Sequence, residues 1–599
     1  MTDNFFIQLY ENNIETRHFV KNSNEQFKIK LTLNKNILPG TVKFYYGNDN
    51  AVIKNGIVID ESGIDSNTFV AEFNEKTAGL YFFHFEIIRD DGLIFLSPSG
   101  ISKKFCGEWQ ILCINRAYPI PKFGNGIIYH IFVDRFFKYG NVPLRKDAVL
   151  QTDWNGGIPD YAEKQGGHLN NNNFFGGTLF GIAEKIEYIK ALGTDCIYLS
   201  PIFKAYSNHK YDTGDYLHVD EMFGGDEALK NLIAVCKSNG IRLILDGVFN
   251  HVGDDSVYFN KYGNYNSIGA YQSPDSPYSD WFTLKNGKYD CWWGVKALPK
   301  VNKTSSFRDF ICNVVIPKYM DMGVDGWRLD VVDEYTNDFT EQIVAAIKSK
   351  KSDAIIIGEV WENASNKVAY GERKSYFYGK SLDSVMNYPF RSAVLEFLKS
   401  ADNSHITQIV KTITASYPQK TLPLLMNMLG THDTERIITV LGGDSSNGKS
   451  NKYLSLHKMT AEQRKNATAL LFAAYALISA LPGKVSVYYG DEVGLEGYHD
   501  PFNRMPFPWG NEDFEILNYI KKVNHCKQNC ETLLNGETII IPSAVCVFLF
   551  VRTLNGNEVF CACNMGESDY EIGFNAKSLI SSNAISTIKP KSTEIYTKA

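Results

Sequence analysis

Short apolar runs alternate with helical patterns through the middle of this 599-residue chain. After Pro121, each run of apolar and β-branched residues leads into a loop and then into a stretch with helical periodicity. The eight predicted strands are Ile127–Phe132, Cys196–Leu199, Leu243–Asp246, Gly326–Asp330, Ile355–Glu359, Ser384–Asn387, Leu424–Met428 and Val485–Tyr489. The predicted helices include Gly181–Leu192, Asp226–Asn239 and Phe307–Met322. Parallel strands that alternate with helices predict an α/β fold, a (β/α)8 TIM barrel.

The two ends of the chain have the alternating pattern of β-strands instead. The predicted strands are Phe27–Leu33, Thr41–Tyr46 and Leu80–Ile88 before the barrel, and Thr538–Ile541, Val545–Val551 and Glu558–Cys563 after it. Turns are predicted at Pro39-Gly40, Asn55-Gly56 and Asp91-Gly92. We therefore expect a β-sandwich over residues 1–118, the barrel over 119–510 and a second β-sandwich over 511–599.

One connection in the predicted barrel is unusually long. About fifty residues, from Asn250 to Asn302, follow the third strand and are rich in Tyr, Trp and Gly. Loops of this length without structure of their own are uncommon in compact domains. We therefore expect an inserted subdomain at residues 250–302.

Composition narrows the class of partner. The net charge is −6, with 21% charged and 44% hydrophobic residues, which gives no electrostatic reason to expect nucleic acid or a membrane. The amino-terminal residues lack the pattern of a signal peptide, and the apolar stretch Ala467–Leu481 is too short to span a bilayer. The eleven cysteines have no metal-type spacing. Free thiols and a cytoplasmic location are expected.

Carboxylates recur where the predicted barrel strands end. Asp246 ends the third strand, Asp330 the fourth and Glu359 the fifth, and Asp433 follows the seventh. Barrel enzymes place their reacting groups at these ends. Crowded carboxylates suit chemistry that needs one charged and one protonated group, as glycoside cleavage does. The alternative is a buried ion-pair network that only stabilises the barrel.

Two of these carboxylates have neighbours that suggest different roles. Arg328 lies two residues before Asp330, so both side chains point to the same side of a strand. The guanidinium would keep Asp330 ionised and oriented as a nucleophile. Glu359 has apolar neighbours in sequence, which favour a protonated carboxyl group and a role as general acid.

Four stretches resemble the signature regions of the α-amylase family (glycoside hydrolase family 13), in the family's order. They are Asp246-Gly-Val-Phe-Asn250-His251, Gly326-Trp-Arg328-Leu-Asp330-Val-Val-Asp-Glu334, Gly358-Glu359-Val-Trp361 and Gly430-Thr-His432-Asp433. The resemblance implies a retaining α-glucan hydrolase in which Asp330 is the nucleophile, Glu359 the acid/base and Asp433 the residue that distorts the sugar. It further implies that the sugar is bound or the nucleophile held by Arg328, His251, His432 and Asp246.

Within the family, the chain is most similar to the cyclomaltodextrinase, neopullulanase and maltogenic amylase group. The supporting stretches are Ser207-Asn-His209-Lys-Tyr211-Asp212-Thr-Gly-Asp215-Tyr216 and Asn427-Met-Leu-Gly-Thr-His-Asp-Thr-Glu-Arg436. The resemblance implies that Tyr211 stacks under the reacting glucose beside His209, and that Trp361 is a platform on the leaving-group side. It also implies that Asp500 and Arg504 grip the non-reducing glucose. The alternatives are a core histidine at position 209 and a structural ion pair between Asp500 and Arg504.

The same resemblance sets expectations for substrates, assembly and metal. Maltodextrins, cyclodextrins and pullulan are the implied substrates, starch hydrolysis and transglycosylation are alternatives, and a homodimer through the N-terminal domain is implied. A non-catalytic glucan-binding protein is a further alternative that would lack the nucleophile or the acid, and both are present. No cofactor is expected. Related proteins hold calcium in an oxygen-rich loop, whereas here Arg145 closes the corresponding loop and Thr178 follows Gly177.

Overall fold

The computed structural model of the chain describes residues 5–34, 41–49, 54–60, 67–90, 92–164, 166–167 and 169–599. The chain divides into two compact units. Unit 1 contains residues 1–119, 363–382 and 410–422, and unit 2 contains residues 120–362, 383–409 and 423–599. The domain limits at residues 118 and 510 stay predictions.

Unit 2 contains the predicted barrel. Its strands are β1 (Ile127–Ile131), β2 (Thr194–Leu199), β3 (Arg242–Gly247), β4 (Gly326–Leu329), β5 (Ile355–Gly358), β6 (Ser384–Val385), β7 (Met426–Met428) and β8 (Lys484–Tyr488). They pair in parallel in the order 6-5-4-3-2-1-8-7. A single parallel bridge between Met386 and Met426 joins β6 to β7. The eight predicted strands and the (β/α)8 TIM barrel are confirmed.

Helices follow most barrel strands. Their bounds are Leu179–Glu184, Ile186–Ala191, Gly225–Ser238, Ser305–Phe310, Ile316–Met322, Asn337–Lys350, Tyr388–Ser400, Ser404–Ser416, Ile437–Gly442, Asn451–Leu456 and Ala461–Ala480, with a π-helical turn at Ile311–Val315. Thr460 and Gln463 form a capping box that starts the longest of these helices. None of the helices in the described ranges has the length and apolar character that crossing a bilayer requires.

Two helices, Phe514–Gln528 and Glu531–Asn535, precede the C-terminal strands, so the expectation of strands from residue 511 onward is wrong for this segment. Asp513 starts the first of them by accepting hydrogen bonds from two backbone amides. The strands that follow form a six-stranded sheet: Glu537–Ile541, Val547–Leu554, Asn557–Asn564, Tyr570–Ser578, Ala584–Ile588 and Ser592–Lys598. The C-terminal sheet domain itself is confirmed.

Unit 1 is built mainly from antiparallel strands, although Val20–Asn22 pairs in parallel with Trp109–Ile114. Its strands within residues 1–119 are Phe5–Glu11, Ile14–Thr16, Val20–Asn22, Phe27–Leu33, Thr41–Asn48, Lys54–Asp60, Thr68–Phe73, Gly79–Arg89, Gly92–Ser97, Gly100–Ser102 and Trp109–Ile114. Alternate residues of Phe27–Leu33 are buried, as a half-buried strand requires. The later segments join this unit through backbone hydrogen bonds, such as the one from Asn115 to Tyr378 at 2.9 Å.

The turn predictions in unit 1 had different outcomes. Asn55-Gly56 is not a turn, because both residues lie inside strand Lys54–Asp60 and pair with Tyr45 and Phe44. Pairing with strands on both sides overrode the local turn preference. Pro39-Gly40 and Asp91 lie outside the described residues.

The long connection after β3 has few regular elements, and its order comes from packed aromatic rings. Tyr258, Phe259 and Trp281 are buried there, and the Tyr258 and Trp281 rings lie 5.1 Å apart. The Asn260 amide donates to the backbone oxygens of Tyr265 and Ser267. These contacts give residues 250–302 the internal packing that was expected of an inserted subdomain.

A buried carboxyl group lies directly after β8. Glu492 accepts hydrogen bonds from the hydroxyls of Tyr129 at 2.5 Å and Tyr188 at 3.0 Å. Burial raises the pKa of Glu492 from 4.5 to about 7, although the two hydroxyls oppose this shift. Because the folded state holds this proton more tightly than the unfolded state, the contribution of Glu492 to stability is complete below pH 4.5. It is lost as the pH rises through about 7.

We expect Glu492→Gln to remove this pH-dependent loss of folding stability. Between pH 4.5 and pH 7 the parent should lose about 3 kcal/mol relative to the variant, since each pKa unit corresponds to about 1.4 kcal/mol. Denaturant unfolding of both proteins at several pH values measures the difference in stability. Glu571→Gln, at an exposed position of strand Tyr570–Ser578, is the control. A stability difference that does not change with pH would contradict this prediction.

Candidate active site

A single buried arginine joins the carboxylates at three strand ends. Arg328 on β4 is 0% exposed. Its Nη1 atom lies 2.8 Å from Asp246 Oδ1 and 2.8 Å from Asp330 Oδ1. Its Nη2 atom lies 2.9 Å from Glu359 Oε2. The ends of β3, β4 and β5 therefore meet at one guanidinium, and we call these four side chains the Arg328 cluster.

The charges in the Arg328 cluster oppose one another. Burial raises the pKa of Asp330 well above its usual value, Arg328 opposes this shift, and Glu359 and Asp246 add to it. Burial also raises the pKa of Asp246, again against the effect of Arg328. Burial alone would lower the pKa of Arg328, but the surrounding carboxylates hold it well above its usual value. Arg328 is thus the neighbour that favours the ionised form of Asp330, and burial together with the other two carboxylates outweighs it.

The carboxylate of Glu359 is surrounded by donors. It forms an ion pair with Arg328 and accepts hydrogen bonds from the Val331 backbone N–H at 2.9 Å and from the Trp361 indole at 3.0 Å. Val331 has φ 38° and ψ 46°, a left-handed conformation that is unfavourable for a β-branched residue. This conformation points the Val331 N–H group towards Glu359. The apolar setting expected from the sequence is thus only part of the Glu359 environment.

Asp433 lies next to His432 after β7, with 3.2 Å between its Oδ2 atom and His432 Nε2. Burial and then the Glu359 carboxylate raise the pKa of Asp433 to about 7. Arg504 donates to the backbone oxygen of His432 at 3.1 Å and pairs with Asp500 at 3.1 Å. The ion pair between Asp500 and Arg504, considered above as a structural alternative, is therefore present. The hydrogen bond from Arg504 to His432 also fixes the segment that carries Asp433.

The Tyr211 hydroxyl connects two parts of the site. It lies 2.9 Å from Asp246 Oδ2 and 2.6 Å from His432 Nε2. The Tyr211 and His432 rings are nearly parallel, with centroids 5.1 Å apart. His209 accepts a hydrogen bond from the Tyr211 backbone N–H at 3.1 Å. His209 thus lies at the site and supports Tyr211, and it is not an isolated core histidine.

The Tyr211 loop is held by its own charged residues. Lys210 has φ 64°, and its buried ammonium group pairs with Asp220 at 2.6 Å. Asp212 accepts a hydrogen bond from the Ser207 backbone N–H at 3.0 Å. These contacts close a tight turn that presents His209 and Tyr211.

His251 lies in the segment that follows β3. It is buried, and neither of its ring nitrogens has a hydrogen-bond partner among the described residues. Burial lowers the pKa of His251 to about 3. Buried polar atoms without partners are rare in folded proteins. A neutral imidazole here is suited to hydrogen bonding with a ligand hydroxyl.

Trp361 lies next to Glu359 and is partly exposed to solvent. Its ring stacks on Tyr388 with centroids 3.7 Å apart and an angle of 12°. The residue is 45% exposed. Tyr388 therefore supports one face of the indole, and the exposed part is available to a ligand.

Sequence reasoning missed several members of the site. Tyr198 donates to Asp246 Oδ2 at 2.6 Å, and His130 stacks on Tyr198 with centroids 4.3 Å apart. Tyr388 supports Trp361, and Trp292 packs against His251 at 5.1 Å. Tyr198, His130 and Tyr388 could have been found, because each lies near or directly after the end of a predicted strand. Trp292 lies in the long connection, and its contact with His251 follows from tertiary packing.

The segments compared with a calcium loop have protein partners instead. Arg145 donates to the backbone oxygens of Ala205 and Tyr206 at 2.9 and 2.7 Å. The Thr178 hydroxyl donates to the Tyr139 backbone oxygen and caps the helix Leu179–Glu184. Within the described residues, no group of three or more His, Cys, Asp or Glu side chains is arranged to hold a metal ion.

The chain is similar to several characterised α-glucan enzymes. It is 36% identical over 512 residues to an amylopullulanase of Thermoanaerobacterium saccharolyticum, covering 74% of this chain and 38% of that protein. It is 30% identical over 523 residues to a cyclomaltodextrinase of Thermoanaerobacter pseudethanolicus, covering 82% of this chain and 80% of that protein. The chain spans about a third of the length of the amylopullulanases that it matches.

Structural comparison agrees with these similarities. The cyclic alpha-maltosyl-(1-->6)-maltose hydrolase of Arthrobacter globiformis matches with a TM-score of 0.64 at 28% identity, covering 79% of this chain and 98% of that one. The family model for the alpha amylase catalytic domain matches residues 151–538, a range that contains the whole Arg328 cluster. The chain belongs to the α-amylase family.

Proposed function

We propose that this protein is a retaining glycoside hydrolase that cleaves α-1,4-glucosidic bonds of maltodextrins and cyclodextrins, with pullulan as a further candidate substrate. One observation carries the proposal: Asp330 and Glu359 contact the same guanidinium at the ends of adjacent barrel strands. Two carboxyl groups held close together are the minimum machinery for this reaction.

Asp330 acts as the nucleophile. Its carboxylate attacks the anomeric carbon while Glu359 donates its proton to the glycosidic oxygen, so the leaving sugar departs with a new hydroxyl group. Glu359, now a carboxylate, then takes a proton from water, and the resulting hydroxide displaces Asp330 from the glycosyl ester. Two displacements at one carbon retain the anomeric configuration.

Asp433 and its neighbours bind the reacting glucose. Asp433 accepts hydrogen bonds from ring hydroxyls and favours the distorted sugar. Its pKa of about 7 means that its charge changes close to neutral pH. His251 and His432 also bind sugar hydroxyls, since burial lowers the pKa of both imidazoles and keeps them neutral. Tyr211 offers its ring to the same glucose.

The remaining site residues act at the two ends of the reacting glucose. Asp500 and Arg504 bind the non-reducing sugar, and Trp361 stacks on the leaving group. Asp246 and His209 hold Arg328 and Tyr211 in place through the contacts described above. Relatives named cyclomaltodextrinase and amylopullulanase support α-glucans as the substrate class.

Replacing Asp330 with Asn should abolish turnover while maltodextrin binding remains, because the amide keeps the shape but cannot attack. We expect a loss of at least about a thousandfold, or about 4 kcal/mol of transition-state stabilisation. Steady-state kinetics and calorimetric binding of maltoheptaose measure the two effects, and Asp321→Asn on the exposed surface is the control. Activity within tenfold of the parent would exclude Asp330 as the nucleophile.

Product analysis tests the reaction and its substrates together. Proton NMR of fresh product should show the α-anomer first, and an initial β-anomer would contradict the covalent route. Chromatography after incubation with maltoheptaose, β-cyclodextrin, pullulan and starch should show faster cleavage of the first two. Starch as the best substrate would favour an α-amylase, and longer products at high maltotriose would favour a transglycosylase.

We also propose a cytoplasmic homodimer that associates through the N-terminal domain, residues 1–118. All eleven cysteines lie in described segments and are free, which suits a reducing compartment. Phe6, Ile14 and Phe105 are each more than half exposed, and the resemblance to the cyclomaltodextrinase group implies contact through this domain.

Sedimentation should therefore give about twice the chain mass of 67.6 kDa. Ile14→Asp should shift the protein towards the monomer and raise its starch rate relative to its maltoheptaose rate. Val545→Asp, which changes an exposed apolar residue outside the N-terminal domain, is the matched control for assembly. A full-length monomer that digests starch as fast as maltoheptaose would contradict the dimer proposal.

A further inference from the structure

Trp293 is displayed on the surface of unit 2 in an unusual way. It is 81% exposed, the largest exposed fraction among the large hydrophobic residues of the described chain. Large aromatic side chains are normally buried, so an exposed indole calls for an explanation. Its neighbour Trp292 packs against His251, and the two indoles lie 5.9 Å apart.

A buried carboxylate holds both indoles in position. Glu334, whose side chain is 4% exposed, accepts hydrogen bonds from the indole N–H groups of Trp292 at 3.0 Å and Trp293 at 3.2 Å. Its other oxygen lies 2.6 Å from Lys300 Nζ and 3.0 Å from the Asn250 amide. The exposed ring is therefore fixed to the barrel and does not swing freely.

The backbone at Trp293 is strained. The residue has φ 48° and ψ 29°, a left-handed conformation that a bulky side chain adopts only at a cost in free energy. The loop around it is closed by backbone hydrogen bonds from Trp292 to Leu298 and from Val295 to Trp292, both 2.9 Å. A strained backbone, a buried anchor and an exposed ring together indicate a surface that is prepared for a ligand.

The anchor connects this ring to the catalytic groups. Glu334 lies four residues after Asp330, in the same segment as Val331, whose N–H binds Glu359. The acid in this chemistry lies beside the leaving group. The ring that Glu334 holds is accordingly placed on the leaving-group side of the bond being cut.

We propose that Trp293 is a stacking platform for a glucose unit of an α-glucan on the leaving-group side, and that Glu334 is its positioning residue. This inference rests on the proposed function, since an α-glucan supplies the apolar sugar face that stacks on an indole. The platform binds both the departing chain of a substrate and a sugar that accepts the glycosyl group. It therefore determines chain-length preference and the fraction of transfer products.

Trp293→Ala should raise the KM for maltoheptaose about tenfold and leave kcat within about twofold, because binding is lost equally from the ground and transition states. Trp293→Phe should keep most of the affinity, since a ring remains. Phe514→Ala, which removes an exposed ring from a C-terminal helix, is the matched control. A KM for Trp293→Ala within twofold of the parent would overturn the proposal.

Product ratios test the side on which the ring lies. At high maltotriose, Trp293→Ala should form a smaller fraction of longer products than the parent, because an acceptor sugar would lose its platform. A higher KM with an unchanged transfer fraction would place the ring elsewhere and overturn the assignment to the leaving-group side.

A binding measurement distinguishes a failure of the Trp293 inference from a failure of the proposed function. Calorimetry with maltoheptaose in the Asp330→Asn background should show about tenfold weaker binding when Trp293→Ala is added. If the parent protein shows no turnover, the proposed function is contradicted, but the two affinities for maltoheptaose can still be compared. Glu334→Gln should weaken binding in the same direction, and the double variant should weaken it by less than the two single changes combined, because they act on the same ring. Additive effects would overturn the positioning role of Glu334.

Discussion

The site depends on one buried guanidinium bound by three carboxylates. Removing four charged groups from water is costly unless each is paired, and Arg328 is the shared partner of Asp246, Asp330 and Glu359. One positive charge cannot balance three negative charges in a buried site. Burial raises the pKa of Asp246 and Asp330 accordingly, so the cluster binds protons as a unit.

The barrel explains why these groups meet. Parallel strands bring their carboxyl ends to one rim, and β3, β4 and β5 are adjacent in the sheet. Asp246 and Arg328 are direct partners in the pairing of β3 with β4. The chain therefore builds the cluster from three adjacent strands, with residues that lie between positions 246 and 359 of the sequence.

Hydrogen bonds outside the cluster keep it in one arrangement. Tyr198 and Tyr211 both bind Asp246, and Tyr211 continues to His432. Lys210, Val331 and Trp293 are left-handed residues next to this network, where the backbone is strained. At Val331 the strain turns an N–H group towards Glu359, and at Trp293 it presents a ring to solvent. At Val331 and Trp293 an unfavourable backbone conformation thus sets the position of a functional group.

The sequence alone determined the barrel and most of the candidate site. Short apolar runs between stretches of helical periodicity predicted all eight strands, because the apolar runs of a buried parallel strand depend only on local composition. The two-residue spacing of Arg328 and Asp330 predicted their contact, because side chains alternate along a strand. Motifs at strand ends identified the carboxylates, although their catalytic roles stay predictions.

Other features were decided only by the tertiary structure. Asn55-Gly56 has the composition of a turn, yet strands on both sides pair with its segment. The partners of Glu359 come from Val331 and Trp361, and their geometry follows from a backbone conformation that the residue types do not suggest. Trp293 and Glu334 are about forty residues apart, and no periodicity connects them. Local patterns report which face of an element is apolar, but the pairing of distant side chains depends on how the chain closes in space.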